Sequence, residues 1–385
     1  MSPSSPAIAG PRRTLLPVFA ACAAIGLQAG VGMPLVPLAL EQQGHDKITI
    51  GIVSAAWAVG MLCFGTRIPK LAARFGAVQA IVGAVVIGAL ISCAYVITSG
   101  PLAWGILTFL HGVIGGVPWV VSEIWMNVVV EEKRRGRVMG IYAAMVALGM
   151  ALGPLVLQVV GVYGPVPFLA GAALSLLVAV PLLPHWRTAP RIRVDAASDF
   201  GAVVLLAPLA MFAAFACGFG EHVAFGFLPV YAVGAGVPAE TGALWLSAFV
   251  MGNVVLQWPI GWAADHADRR AVLAGCTAAS ALAVIVLSLI PAQWVGTVVV
   301  VALWGGVSFS IYPVGLALLG QHFRGGDIAR ANTAFSMIYI VGGLFGRPMA
   351  GAAMDAVGDP GLGWTLAVCY GAATLAALLA LRRAG

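Results

Sequence analysis

The chain has 385 residues, of which 61% are hydrophobic and only 9% charged, with a mean hydropathy of +1.00. A soluble domain of that size needs far more charge to cover its surface, so a soluble fold is excluded and a lipid-facing one implied. The net charge of +6 lies in short loops between apolar runs, which answers to membrane topology, and no nucleic-acid partner is expected.

A helix needs roughly 20 mostly apolar residues to cross a bilayer. In chain order, such runs occupy about 14–39, 48–67, 77–97, 102–130, 137–160, 165–184, 200–233, 240–260, 271–290, 293–320, 329–352 and 361–381. The segment before the first run is small and polar up to Pro11, then Arg12 and Arg13 follow. It lacks the short apolar core and small-residue cleavage site of a secretory signal, so the first span is read as retained. Only Gly161–Pro165 separates the fifth span from the sixth. The 49 glycines and 23 prolines let membrane helices approach closely and break locally. The six cysteines all fall inside spans without a close pair, which is the pattern of small buried side chains and not of disulfides or metal ligands.

Of the 20 Lys and Arg, all but Lys47 and Arg347 fall at the termini or in loops that follow even-numbered spans. By the positive-inside rule both termini are cytoplasmic, which requires an even number of spans. The expected location is the bacterial inner membrane, crossed many times. The segment His185–Asp199, HWRTAPRIRVDAASD, divides the chain near its midpoint. Displacing the sequence by 192 residues aligns 24–68 with 216–260 without a gap, and nine positions match, among them Gly26/Gly218, Pro37/Pro229, Gly44/Gly236 and Gly60/Gly252. Composition alone gives roughly four, so the two halves read as a duplication. The expected fold is therefore an all-α membrane protein of twelve transmembrane helices in two pseudo-symmetric bundles. Residues 1–184 form the N-terminal six-helix bundle, 185–199 a cytoplasmic linker, and 200–385 the C-terminal six-helix bundle.

Several motifs sharpen this. After the eighth span the chain reads Leu256-Gln257-Trp258-Pro259-Ile260-Gly261-Trp262-Ala263-Ala264-Asp265-His266-Ala267-Asp268-Arg269-Arg270. This resembles the G-x-x-x-D-…-R-R signature of the major facilitator superfamily, whose two halves rock about a midplane cavity. The resemblance implies a gating loop in which Gly261 permits a tight helix exit, Asp265 caps or pairs with neighbouring helix ends, and Arg269 and Arg270 face the cytoplasm. At the equivalent first-half positions stand Pro69, Ala73 and Val78, so a first-half gate built on that aspartate is not expected. Glu123-Ile124-Trp125-Met126-Asn127, then Arg135-Gly136-Arg137, and later Tyr312-Pro313-Val314, resemble the YcaD-like branch of the superfamily. Thr108 stands where many proton-coupled exporters of the superfamily carry an arginine, so that relay is not carried over. Gly149-Met150-Ala151-Leu152-Gly153-Pro154 resembles the antiporter motif of the fifth helix, and is equally a small-x-x-x-small packing stripe.

Ionisable residues inside spans are costly and mark function or partners. Glu123, Glu221 and Arg347 are the exceptional charges, with His111 and His222 as titratable neighbours. Glu221 and His222 lie some 20 residues into the seventh span and Arg347 about 17 into the eleventh, so Glu221 is expected to pair with Arg347. Protonation of Glu221 would release the pair, with His222 sharing the proton; a static bridge locking the two helices is the alternative. Glu123 is assigned a gating role. In the superfamily helices 1, 4, 7 and 10 line the cavity, so the resemblance places Gln28 and Tyr312, with His111, at the substrate. The expected function is proton-coupled export of a small organic compound by alternating access. The alternatives are a proton symporter importing an organic anion against Arg347, and a non-transporting sensor or scaffold. With no Walker loop, dinucleotide fingerprint, catalytic constellation or clustered metal ligands in the sequence, no enzyme activity, cofactor or metal is expected. The partners are a small-molecule substrate, protons and the bilayer, for a chain acting as a monomer.

Overall fold

The computed structural model describes residues 11–130, 132–186, 206–323 and 326–383. Every regular element among them is helical. The transmembrane helices are α1 (Pro11–Gln42), α2 (Lys47–Phe64), α3 (Ala77–Ile97), α4 (Pro101–Val129), α5 (Glu132–Val160) and α6 (Pro165–Ala179). They continue as α7 (Pro208–Gly234), α8 (Ala239–His266), α9 (Arg269–Leu289), α10 (Val295–His322), α11 (Gly326–Val357) and α12 (Pro360–Arg382). A 3-10 turn and a short helix, Ile68–Phe75, prolong α2, and the 3-10 turn Val180–His185 prolongs α6. Among the described residues, twelve helices, counting these extensions, are long and apolar enough to cross a bilayer. The protein is an all-helical, multi-pass membrane protein.

Local chemistry sets the ends. Asp46 caps α2 by accepting from the Thr49 amide at 3.1 Å, and prolines open α4, α6, α7 and α12 where an amide has no intrahelical partner. Gly161 and Gly164 separate α5 from α6 at φ of 80° and 77°, a left-handed backbone that a side chain resists. Two spans depart from the sequence expectation. α7 starts at Pro208, after Ala207 leaves helical geometry at φ −133° and ψ 58°, while Leu206 before it is helical and residues 200–205, where the span was expected to begin, lie outside the described residues. α8 runs through Gly261 to His266, so the expected loop begins a turn and a half late. Most of the expected linker, from residue 187 onward, lies outside the described residues.

The packing repeats. α1 lies on α5 and α7 on α11; α2 on α4 and α8 on α10; α3 on α6 and α9 on α12. Adding six to both helices of each first-half pair gives the second-half pair. The seams between first-half and second-half helices are α2 on α11 and α5 on α8, with α1 against α7. The crossings inside each half are made by glycine. A methyl added at Gly26 or Gly149 would overlap the partner carbonyl across α1 and α5, and one at Gly218 or Gly342 would do so across α7 and α11. Gly60 and Gly112 play the same part for α2 and α4, as Gly252 and Gly305 do for α8 and α10. Backbones come into direct contact there, the close approach that small residues permit in lipid.

Candidate functional site

α7 is the enclosed helix. Its most apolar window is 89% buried, whereas no other span exceeds 50%. Lipid therefore meets the other helices, and what α7 presents is presented to protein. Glu221, 4% exposed, stands in the middle of it. One carboxylate oxygen accepts from the Cys217 thiol at 2.8 Å, one turn earlier on α7, and the other accepts from the Tyr339 hydroxyl of α11 at 2.7 Å. Behind this pair the Ser308 and Tyr370 hydroxyls meet at 2.6 Å, and the Trp304 indole donates to Tyr370 at 3.3 Å.

His222 turns the other way. Its Nδ1 donates to the Gly218 carbonyl at 2.8 Å, which fixes the proton on that nitrogen. The ring lies between Trp57 of α2, 5.8 Å between centroids, and Tyr339, 5.1 Å away. Tyr339 meets Tyr312 of α10 edge-on at 5.4 Å, and Tyr312 bonds Ser336 of α11 at 3.1 Å. Trp57, His222, Tyr339 and Tyr312 thus form an aromatic row from a first-half helix across α7 and α11 to α10. Glu123 is exposed on α4.

The expected ion pair between Glu221 and Arg347 does not form. Arg347, 6% exposed, donates from Nε to the His222 carbonyl at 3.0 Å and from Nη1 to the Ser54 carbonyl of α2 at 2.6 Å. Among the described residues, no Lys, Arg or His lies within ion-pairing distance of Glu221. Counting from the two helix starts accounts for the difference. Glu221 comes 13 residues after Pro208, not 20 into a span, while Arg347 comes 21 after Gly326. Side chains on a helix also lean toward its N-terminus. That leads Glu221 toward Cys217, while Arg347 sits one turn further along α7, beside Gly226.

Gln28 and His111 line a cavity of about 40 Å³ between α1, α3, α4 and α6. That is room for a water or two and not for an organic substrate, so the structure does not put them with Tyr312. Gly261 makes no helix exit: it is exposed inside α8, and a methyl added there would meet nothing within 4 Å. Asp265 is exposed, and the cap of α9 is instead Asp268, which accepts from the Arg270 amide at 2.7 Å. Arg269 donates to the Ala317 carbonyl of α10 at 2.9 Å, so it does brace two helices of one half.

Tyr339 and Cys217 escaped the sequence reading. The signal was present as spacing: Tyr339, Gly343 and Arg347 follow at i, i+4 and i+8, and Cys217 precedes Glu221 by four, so each set shares a helix face.

The sequence profile of the Major Facilitator Superfamily matches residues 18–246 and 210–384. YfkF of Bacillus subtilis, named an uncharacterized MFS-type transporter, is 24% identical over 281 residues, 70% of this chain and 71% of its own. YcaD of Escherichia coli, named likewise, is 25% identical over 329 residues, 84% of this chain and 85% of its own. Among solved structures, a mutant of the nucleoside transporter NupG superposes with a TM-score of 0.80 at 14% identity, covering 95% of this chain and 99% of that one. A D-xylose–proton symporter superposes at 0.73, also at 14% identity, covering 95% and 96%. The chain belongs to the major facilitator superfamily of transporters.

Proposed function

We propose that the protein exports a small organic compound across the bacterial inner membrane by alternating access, with proton exchange at Glu221 as the coupling step. Both termini then lie in the cytoplasm, as the basic loops require. The observation that carries the reading is a carboxylate enclosed on the central helix, held by a thiol and a phenol and, among the described residues, by no cation. A charge placed at mid-membrane costs at least about 2.5–3.5 kcal/mol, and a bound proton removes that cost. Protonation also changes what Tyr339 donates to, and Tyr339 belongs to α11, which packs on α2 of the other half. The proton state of α7 is thereby linked to the seam between the halves. The substrate space of this reading is the interior reached by Tyr312, Tyr339 and Trp57. Import of an organic anion finds less support, since Arg347 already donates to two carbonyls.

A thermal-shift screen of metabolites and drugs on the purified protein identifies ligands. A hit is then followed in proteoliposomes with and without a pH gradient. The expected result is gradient-driven accumulation by the wild type, and gradient-independent exchange alone by E221Q. Equal accumulation by E221Q and wild type would remove Glu221 from the mechanism.

A further inference from the structure

The α2/α11 seam has an end unlike its middle. α2 begins at Lys47 and α11 ends at Val357, so the two run antiparallel and these termini meet. There, Asp355 of α11 accepts from the Lys47 amide at 2.9 Å and the Ile48 amide at 2.8 Å, one with each carboxylate oxygen. These are free amides of the first turn of α2, so a carboxylate from one half caps a helix of the other. One turn on, a methyl added at Gly351 would overlap the Lys47 carbonyl, and one at Gly51 would lie 2.5 Å from the Arg347 carbonyl oxygen and 2.9 Å from Pro348 Cα. One turn further, Arg347 reaches Ser54. Toward the other end the seam loosens: the nearest second-half atom to a methyl added at Gly65 is the terminal carbon of Met337, at 3.6 Å.

The second seam lacks these groups. Gly149 lies on Ala23 as Gly342 lies on Phe215; α1 and α7 correspond by 192 residues there, and α5 and α11 by 193. By those offsets Arg347, Gly351 and Asp355 correspond to Pro154, Gln158 and Val162, and Lys47, Gly51 and Ser54 to Ala239, Ala243 and Leu246. No bonding side chain in that set matches the cap or the guanidinium.

We infer that Asp355 and Arg347 form a one-sided latch that holds the two halves shut at the Lys47 end of the α2/α11 seam and must be undone each time that end opens. Arg347 is the connecting part, because the same guanidinium bonds the carbonyl of His222, next to Glu221. The latch rests on the alternating-access reading, yet its test needs no substrate and no proton gradient. Spin labels at Gln43 and Val357, both exposed at this end, report the gap by pulsed electron resonance in nanodiscs once Cys63, Cys93 and Cys369 are replaced by alanine. In Asp355→Ala the ratio of long to short distances is expected to rise roughly two- to thirtyfold, the range of a lost helix cap. Arg347→Gln widens the gap in the same sense, while Gln158→Ala, exposed on the other seam, leaves it unchanged. A D355A distribution superimposable on wild type overturns the latch, and an equal response in Q158A overturns its one-sidedness.

Discussion

Two glycines of neighbouring helices offer a direct test of how the halves are built. Gly306 of α10 faces α8: a methyl added there would lie 2.7 Å from the Gly252 carbonyl oxygen and 2.5 Å from Leu256 Cδ1. The tip of Leu256 can rotate aside, but its Cβ, at 2.8 Å, and the Gly252 carbonyl cannot. Ordinary contact begins at 3.4 Å, so α8 and α10 must part by the difference, 3.4 less 2.7 or 0.7 Å. A gap of 0.5–1 Å forfeits roughly a quarter to a half of each dispersion contact around the crossing, where Phe249 and Trp304 meet at 4.7 Å. Overpacking of this kind costs about 1–3 kcal/mol, and with an unyielding backbone partner Gly306→Ala should cost about 2 kcal/mol. Gly261→Ala on α8 meets open space and gains helix propensity of up to about 1 kcal/mol. The same propensity gain offsets part of the overpacking in Gly306→Ala, so reversible titration with sodium dodecyl sulfate, followed by far-ultraviolet circular dichroism, should separate the two by about 2 kcal/mol, with wild type between. Coincident transitions for the two variants would refute both the glycine crossing and the placing of Gly261 inside a helix.

Two further expectations follow from placement. His111→Ala and Gln28→Ala line a water-sized cavity, so they should leave the affinity for any thermal-shift ligand within about twofold; a tenfold loss in titration calorimetry would return them to the substrate site. Asp359, between α11 and α12, has its pKa raised by burial, an effect lessened by Lys47 and added to by Glu41. A carboxyl raised in the folded state favours folding when protonated, and that contribution fades as pH rises through its folded value. Asp359→Asn should therefore be more stable than wild type at pH 8 in thermal unfolding, with the advantage shrinking toward pH 4; a constant gap would contradict this.

Hydropathy made the twelve spans legible because crossing a bilayer demands length and apolarity and little else. The site was only partly legible. Glu221, His222 and Arg347 stood out because charge is rare in a span, yet their partners did not follow. Depth counted from a hydropathy boundary fails when one residue, Ala207, breaks the helix just before Pro208, a break that apolarity does not reveal. Which hydroxyl meets a carboxylate depends on rotation about the helix axis, and apolarity on all sides of α7 hides that rotation. The family signature carried Arg269 to a bracing role, but Gly261 and Asp265 lie where α8 had not yet ended.

The paired glycine crossings have a mechanical consequence. Two helices touching backbone to backbone at one point have their separation fixed, since no side chain is there to be compressed or rerotamered, whereas their angle is fixed only by whatever packs farther out. Such a point is a fulcrum. Between α1 and α5, and between α7 and α11, it lies inside a half, so a helix can tilt there without the half losing its span-to-span spacing, and the tilt is largest at the helix tips, where Asp355 and Lys47 are joined.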